Sequence, residues 1–197
     1  EYSTLDLDPA DVAVLAAETW RDATWWGTAS RDGARIWRMT HDAGVPFLEV
    51  EISNGFKSID PDLGGNDFAI ISMARSADRL VVGTWDADAA TLAERGLDLP
   101  AGDGFGLWER TDDGWTALTT DGFGDAGRTG ATALAFADGV LYVGTQHVEA
   151  GAEIWRVDET PERMFVVPGC RRVSDLVVHG GRLHAAFDQC PDSPPNV

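Results

Sequence analysis

Short runs of apolar residues alternate with polar residues along the chain, and several Asp-Gly or Gly-Gly pairs separate them. The clearest case is 131–137 and 140–145, which flank Asp138-Gly139, a two-residue turn that favours positive φ angles. The runs 69–75 and 80–84 form a similar pair. Period-two alternation over runs this short is typical of half-buried β-strands. The pattern therefore predicts an all-β chain built from antiparallel hairpins.

A sequence repeat organises these hairpins. An apolar residue followed by Gly-Thr occurs three times, and an apolar-Trp pair follows each copy. The Gly-Thr copies are Trp26-Gly27-Thr28, Val82-Gly83-Thr84 and Val143-Gly144-Thr145, and the Trp pairs are Ile36-Trp37, Leu107-Trp108 and Ile154-Trp155. A fourth copy begins at Val173 and repeats the hairpin without Gly-Thr. Each full copy is predicted to hold four strands, because a last strand such as 47–52 or 114–118 follows the Trp strand.

Four strands in a repeat of roughly 40 to 60 residues are typical of a β-propeller blade, whereas β-solenoid repeats are shorter. We therefore predict a β-propeller with four-stranded antiparallel blades, about three and a half of them in this chain. The predicted blades are 10–55, 67–120, 130–168 and 171–190, and 191–197 reads as a tail or linker. Either four blades close after the last one borrows strands, or the chain is half of a larger ring that a second copy or another protein completes.

Two stretches resemble the repeats of exported bacterial and archaeal β-propellers. The matching motifs are Leu141-Tyr142-Val143-Gly144-Thr145, Gly151-Ala152-Glu153-Ile154-Trp155-Arg156, Asp113-Gly114-Trp115 and Asp121-Gly122-Phe123-Gly124. The Asp-Gly-Trp turn is also similar to a shortened Asp-box of sialidase-like propellers. The resemblance implies a fold and an exported protein. It implies no activity, since propellers include enzymes, lectins and scaffolds, and the sialidase arginine triad has no assignable counterpart here.

The charge of the chain excludes two classes of partner. It carries 33 acidic and 15 basic residues, for a net charge of -18. Nucleic acids and anionic membranes bind proteins largely through Lys and Arg, so neither is an expected partner. No apolar run approaches the roughly 18 residues of a membrane-spanning helix.

The loops after Gly-Thr follow equivalent strands, so they are expected on one rim of the propeller. In the second copy this loop, 85–105, exceeds twenty residues and contains a helix-like stretch at 88–95. A long loop on a rigid scaffold is a reasonable recognition element, although a neutral insertion is an equal alternative. The candidate residues for binding a partner or ligand are Trp85, Asp86, Asp88, Gln146, His147 and Glu149.

The aromatic residues allow two interpretations. Trp37, Trp108 and Trp155 recur in phase with the strands and are expected to pack between blades. Trp25 and Trp26 point to opposite faces of one strand, so one of them is expected to be exposed. An exposed Trp25, Trp26 or Trp85 near the mouth of the ring would support carbohydrate binding.

The sequence offers little for metal binding or catalysis. The carboxylates Asp86, Asp88, Asp98 and Asp103 share one loop and could bind Ca²⁺, but they lack EF-hand spacing and a solvated surface is the preferred interpretation. The four histidines show no metal-ligand spacing, and no nucleophile-His-acid set is recognisable. We therefore expect no cofactor and favour a protein without catalytic activity.

The two cysteines predict a disulfide. Cys170 and Cys190 bracket the last hairpin, whose turn centres on Gly180, so they face each other across the ladder to within one residue. A disulfide is typical of exported proteins. The sequence as a whole predicts a secreted or cell-surface module for protein-protein interaction or assembly. The alternatives are a lectin-like propeller and a propeller enzyme of sialidase or lyase type.

Overall fold

Fourteen antiparallel strands make up the fold in the computed structural model, which describes residues 8–57, 59, 67–86 and 102–190. The all-β antiparallel class predicted from the alternation is confirmed. In this described part no helix is long and apolar enough to cross a membrane. The helix-like stretch 88–95 and the tail 191–197 lie outside the described residues.

The strands pair in chain order as three four-stranded meanders and a hairpin, which we call units one to four. Unit one contains β1 (Asp11–Trp20), β2 (Ala23–Ser30), β3 (Arg35–Asp42) and β4 (Val45–Ile52). Unit two contains β5 (Ala69–Arg75), β6 (Leu80–Trp85), β7 (Leu107–Thr111) and β8 (Gly114–Thr119). Unit three contains β9 (Arg128–Ala137), β10 (Val140–His147), β11 (Ala152–Val157) and β12 (Pro161–Val167). Unit four is β13 (Arg172–His179) with β14 (Arg182–Asp188).

Consecutive units contact each other through their first strands and through one backbone pair at the end of each second strand. The pairs are Ala29 with Ala69, Trp85 with Gly130, and Gln146 with Arg172. The first strands pack in the order β1, β5, β9 and β13. The sheet is not closed, because β1 and β13 do not pair.

The glycine of each Gly-Thr pair lies where two units meet. Gly27 packs on Ile70 of unit two, and Gly144 packs on Val173 of unit four. At Gly83 a Cβ atom would lie 2.7 Å from the Ala131 carbonyl oxygen of unit three. A side chain at these positions would therefore push neighbouring units apart, which gives the motif a packing role.

We expect Gly83→Ala to lower the free energy of unfolding by about 1 to 3 kcal/mol, the usual cost of overpacking. The added methyl group would meet backbone and would break the 2.6 Å hydrogen bond that Ser72 Oγ donates to Ala131. Urea denaturation followed by tryptophan fluorescence measures the loss. Gly130→Ala is the control, because its Cβ would approach only side-chain atoms at 3.3 Å, which can shift. Equal losses in the two variants would contradict the packing role.

Aromatic residues fill the spaces between units. Trp108 of unit two stacks on Phe56, which follows unit one, with ring centroids 4.2 Å apart. Trp155 of unit three packs on Phe123, which follows unit two, at 4.9 Å. These two tryptophans pack between units as expected. Trp37 is also buried, but it belongs to none of the apolar clusters that the described residues form.

The predicted disulfide is confirmed. Cys170 and Cys190 are bonded and join the segment before β13 to the segment after β14. Cys170 is buried, and it packs with Val173 and Ile154 in the apolar cluster between units three and four. The bond therefore ties the two ends of the last hairpin together, and the packing of Cys170 on Ile154 holds this end against unit three.

Candidate functional site

Two cavities open beside the ends of the second strands, where the sequence predicted a binding rim. The first is a central cavity of about 520 Å³. Its walls come from equivalent first strands of all four units, and its mouth from residues near the ends of second strands and at the two ends of unit four. The wall residues are Leu15, Ile71, Thr132, Val173 and Ser174, and the mouth residues are Trp85, Gln146, Arg171, Arg172 and Gln189.

The central cavity combines an aromatic ring, amides, hydroxyls and two guanidinium groups. Arg172 donates a 2.8 Å hydrogen bond to Asp188, so part of its charge is already paired. Trp85 is half-buried and packs edge-to-face with Phe68. No Asp, Glu or His is among the described residues that line this cavity. A propeller enzyme of the sialidase or lyase type is expected to hold carboxylates or histidines with shifted pKa values at such a cavity, and the described part of this lining holds none.

A second cavity of about 660 Å³ adjoins the first, and Arg171 lines both. His147, Glu149 and Cys170 belong to its wall. His147 Nδ1 accepts hydrogen bonds from the backbone N–H groups of Glu149 and Ala150, both at 3.0 Å. Its Nε2 atom lies 3.2 Å from an Asp125 carboxylate oxygen, and the two accepted bonds leave Nε2 as the protonated nitrogen. Both ring nitrogens are thus engaged, and His147 holds the turn after β10.

The remaining residues that the sequence suggested for binding are not among the described residues that line the two cavities. Asp86 is buried and lines neither cavity, so it is not the exposed rim carboxylate that the sequence suggested. Asp88 and Asp98 lie outside the described residues. Trp25 is buried and Trp26 is half-buried, so neither is the exposed tryptophan expected of this pair.

A buried charged network in unit one was not anticipated from the sequence. Asp11 faces Ser30 across the strand pair, and Arg35 extends from β3. Arg35 Nη1 donates hydrogen bonds of 2.9 Å to Asp11 Oδ1 and to Ser30 Oγ. The indole N–H of Trp37 donates to Asp11 Oδ2 at 2.9 Å. The Arg35 guanidinium group thus lies between the Asp11 side chain of β1 and the Ser30 side chain of β2.

Unit three has the same network with its charges exchanged. Arg128 occupies the position of Asp11, since it faces His147 as Asp11 faces Ser30. Glu153 occupies the position of Arg35 and accepts a 2.6 Å hydrogen bond from Arg128 Nε. Glu153 also accepts from the Trp155 indole and from Arg163, both at 2.9 Å. Burial raises the pKa of Glu153, but these three donors outweigh burial and hold the pKa below its usual range.

The signal that would have revealed these networks is the residue before each apolar-Trp pair. That residue is Arg35, Gly106 or Glu153 in the three copies. A charge at a position that faces the interior must be paired. The residue that pairs with this charge is Asp11 in unit one and Arg128 in unit three. Each lies near the start of a first strand, and its position opposite the second strand is known only once the register is known.

Unit two has acidic side chains in this network but Gly106 at the position that holds Arg35 in unit one. Asp67 corresponds to Asp11, and Asp86 corresponds to Ser30. Burial raises the pKa of Asp67 to about 6 despite a hydrogen bond from Thr84. Burial, together with the charge of Asp67, raises the pKa of Asp86 to about 7. No group of three or more His, Cys, Asp or Glu side chains that could hold a metal occurs in the described ranges.

No family model matches the chain, and no curated protein is significantly similar to it in sequence.

Proposed function

We propose that this chain is a non-catalytic, exported β-propeller module that mediates protein-protein assembly. In this proposal units one to three are blades, unit four is half a blade, and the partner is a second copy of the chain that completes the ring. The packing of first strands around a central cavity supports the blade interpretation. The disulfide supports export, because such bonds persist in oxidising compartments.

The observation that carries the proposal is the outward face of unit one. Residues of β2 alternate between two faces, and Gly27 packs on Ile70 of unit two. Trp26 therefore points to the opposite face, together with its cross-strand neighbours Trp37 and Val50. In units two and three the equivalent face packs on the preceding unit through Trp108 and Trp155.

This outward face is apolar and partly uncovered. Val50 and Val14 are 45% and 48% exposed, and Met39, Leu48 and Trp26 are half-buried. Among the described strands of the other units, only β5 packs substantially on unit one, and its Ile70 lies on the Gly27 face, opposite Trp26. A contiguous apolar face of this kind is typical of an interaction surface. A sheet unit from another chain fits it best, because the same face accepts a sheet unit elsewhere in this molecule.

The far end of the chain supports the same proposal. Among the described strands, β14 pairs only with β13, so unit four offers an unpaired sheet edge. Soluble proteins usually cover such edges or pair them. A second copy of the chain has the same unpaired edge on unit four and the same apolar face on unit one, so two copies can cover both in one closed assembly.

We expect Val50→Glu to weaken self-association at least tenfold, because it puts an unpaired charge into an apolar contact. Sedimentation velocity over a range of concentrations measures the dissociation constant. Met164→Glu on β12 is the matched control, since Met164 is 44% exposed but lies on unit three, away from the proposed face. Equal dissociation constants for the two variants would contradict the proposed interface. Near-ultraviolet circular dichroism establishes that both variants are folded.

One observation favours a second candidate function, the binding of a carbohydrate acid in the central cavity. The lining combines the Trp85 indole, a ring type on which sugars stack, with Gln146, Arg171 and Arg172, whose side chains are donors for a carboxylate. Trp85→Ala would then abolish binding to acidic glycans on an array, whereas Trp26→Ala, outside the cavity, would not. Failure of the wild-type protein to bind any glycan would remove this candidate.

A further inference from the structure

Unit two lacks the positive charge that the same position holds in unit one. Gly106 takes the place of Arg35, one residue before the apolar-Trp pair, and its backbone N–H bonds to Thr84 Oγ1 at 2.7 Å. In unit one the guanidinium group contacts the side chains of Asp11 and Ser30. The corresponding side chains in unit two are both carboxylates, Asp67 and Asp86. Two acids therefore flank a position from which the base is missing.

These carboxylates are buried and incompletely bonded. Asp86 is only 3% exposed, and its Oδ1 atom has no hydrogen-bond partner. Asp67 is 9% exposed and accepts a hydrogen bond from Thr84. The charge of Lys57 also acts on Asp67, but burial outweighs it and the pKa of Asp67 remains raised. Buried acceptors without partners are rare in folded proteins, and they indicate a ligand, an ion or a proton.

We propose that Asp67 and Asp86 bind a divalent cation, Ca²⁺, in the position that the guanidinium group occupies in unit one. Carboxylate, hydroxyl and main-chain carbonyl oxygens are the ligands that Ca²⁺ prefers. Thr84 Oγ1 lies beside Asp67 and 3.2 Å from the Gly106 carbonyl oxygen, so all three oxygen types occur together. Water completes the coordination. The proposal does not depend on the assembly of the chain with a second copy.

The backbone around the site is shaped to admit no further side chain. A Cβ atom at Gly102 would overlap the Asp86 carboxylate, and one at Gly106 would lie 2.8 Å from the Trp108 indole nitrogen and 3.3 Å from Asp67 Oδ1. In units one and three the corresponding indole donates to the buried carboxylate, whereas the Trp108 indole has no partner. The glycines thus leave room for the backbone instead of a basic side chain: the N–H groups of Gly106 and Gly104 bond to Asp67 and Asp86, and Asp86 Oδ1 stays open to a cation.

The test is titration of the chelator-treated protein with Ca²⁺ alone, by isothermal calorimetry at pH 7.5, followed by Mg²⁺ and Mn²⁺. We expect one saturable site per chain and a rise in melting temperature with Ca²⁺. Asp86→Asn and Asp67→Asn keep the side-chain shape and should each weaken binding at least tenfold. Asp113→Asn, at an exposed hairpin turn, removes the same charge and should leave binding unchanged.

Three outcomes would overturn the proposal. One is the absence of saturable binding by all three cations at millimolar concentration. Another is binding that Asp86→Asn and Asp113→Asn weaken equally, which would indicate diffuse attraction to a chain of net charge -18. A third is an Asp86→Asn variant that melts at the same temperature as the Ca²⁺-loaded wild type. The two carboxyl groups would then require a proton between them, and no cation, for full stability. If Asp67→Asn does not fold, Asp86→Asn and the wild-type titration still decide.

Discussion

Replacing Glu153 by alanine should lower the free energy of unfolding by about 3 to 5 kcal/mol, the usual cost of removing one partner from a buried ion pair. Glu153 is fully buried, and it accepts hydrogen bonds from Arg128, Arg163 and the Trp155 indole. Its loss would leave the Arg128 guanidinium group, itself buried, with only the more distant carboxylate of Asp125, at 3.6 Å. Urea denaturation followed by tryptophan fluorescence measures the effect.

Glu162→Ala is the matched control for this prediction. Glu162 is exposed on the adjacent strand β12, and a surface substitution of this kind changes stability by at most about 0.5 kcal/mol. A loss below 1 kcal/mol in Glu153→Ala would show that the network is not a main source of stability.

The stabilisation by Glu153 should also depend on pH. The folded protein holds the pKa of Glu153 below its unfolded value, so the stabilisation is present above the unfolded pKa. It is lost as the pH falls through the lowered folded pKa. The difference in stability between the wild type and Glu153→Gln should therefore narrow on acidification. A difference that stays constant or widens down to pH 3 would contradict the lowered pKa.

Reduction of the Cys170–Cys190 disulfide should cost about 3 kcal/mol of stability. The bond closes a loop with a sequence separation of 20, and the value follows from the chain entropy that the bond removes from the unfolded state. The effect should be largest in unit four, which has only two strands. Hydrogen exchange should show faster exchange in β13 and β14 than in β9 and β10 after reduction.

The control for the disulfide is the double variant Cys170→Ala with Cys190→Ala, measured with and without reductant. Its stability should not respond to reductant, whereas that of the wild type should. A wild-type protein that keeps its stability and its exchange rates after complete reduction would show that side-chain packing alone holds unit four.

Much of the fold could be predicted from local patterns. The Asp138-Gly139 turn and its flanking runs correspond to β9 and β10, which pair as a hairpin with Val140 opposite Ala137. The disulfide followed from counting outward from Gly180, because an antiparallel ladder fixes which residues face each other. Both inferences concern residues that are close in sequence, because a tight turn sets the register of the two strands that it connects.

The buried charges could not be predicted in the same way. Asp11 and Arg35 are 24 residues apart and meet only because three strands bring them to one end of unit one. Asp86 looked like a rim carboxylate because it follows Gly-Thr, but β6 turns its side chain inward beside Asp67. His147 looked free to bind a ligand, whereas the turn after β10 engages both of its ring nitrogens. Such contacts depend on side-chain direction at strand ends, which alternation alone does not define.

The residues of unit four that line the central cavity were not predicted from the sequence, for a related reason. Arg171 and Arg172 reach the central cavity because β13 packs beside β9 and pairs with β10 through Gln146. The fourth copy lacks the Gly-Thr pair that marks the rim in the other three, so no motif placed it there. Its contribution follows from how the units pack around the cavity.

The native molar mass, measured by light scattering over a range of protein concentrations, tests the proposed assembly most directly. One chain has a mass of 21.2 kDa. The proposal predicts a mass of twice that value, stable under non-reducing conditions and lowered by Val50→Glu. A mass of one chain at every concentration up to the millimolar range would contradict it, because the apolar face of unit one would then have no second copy to cover it.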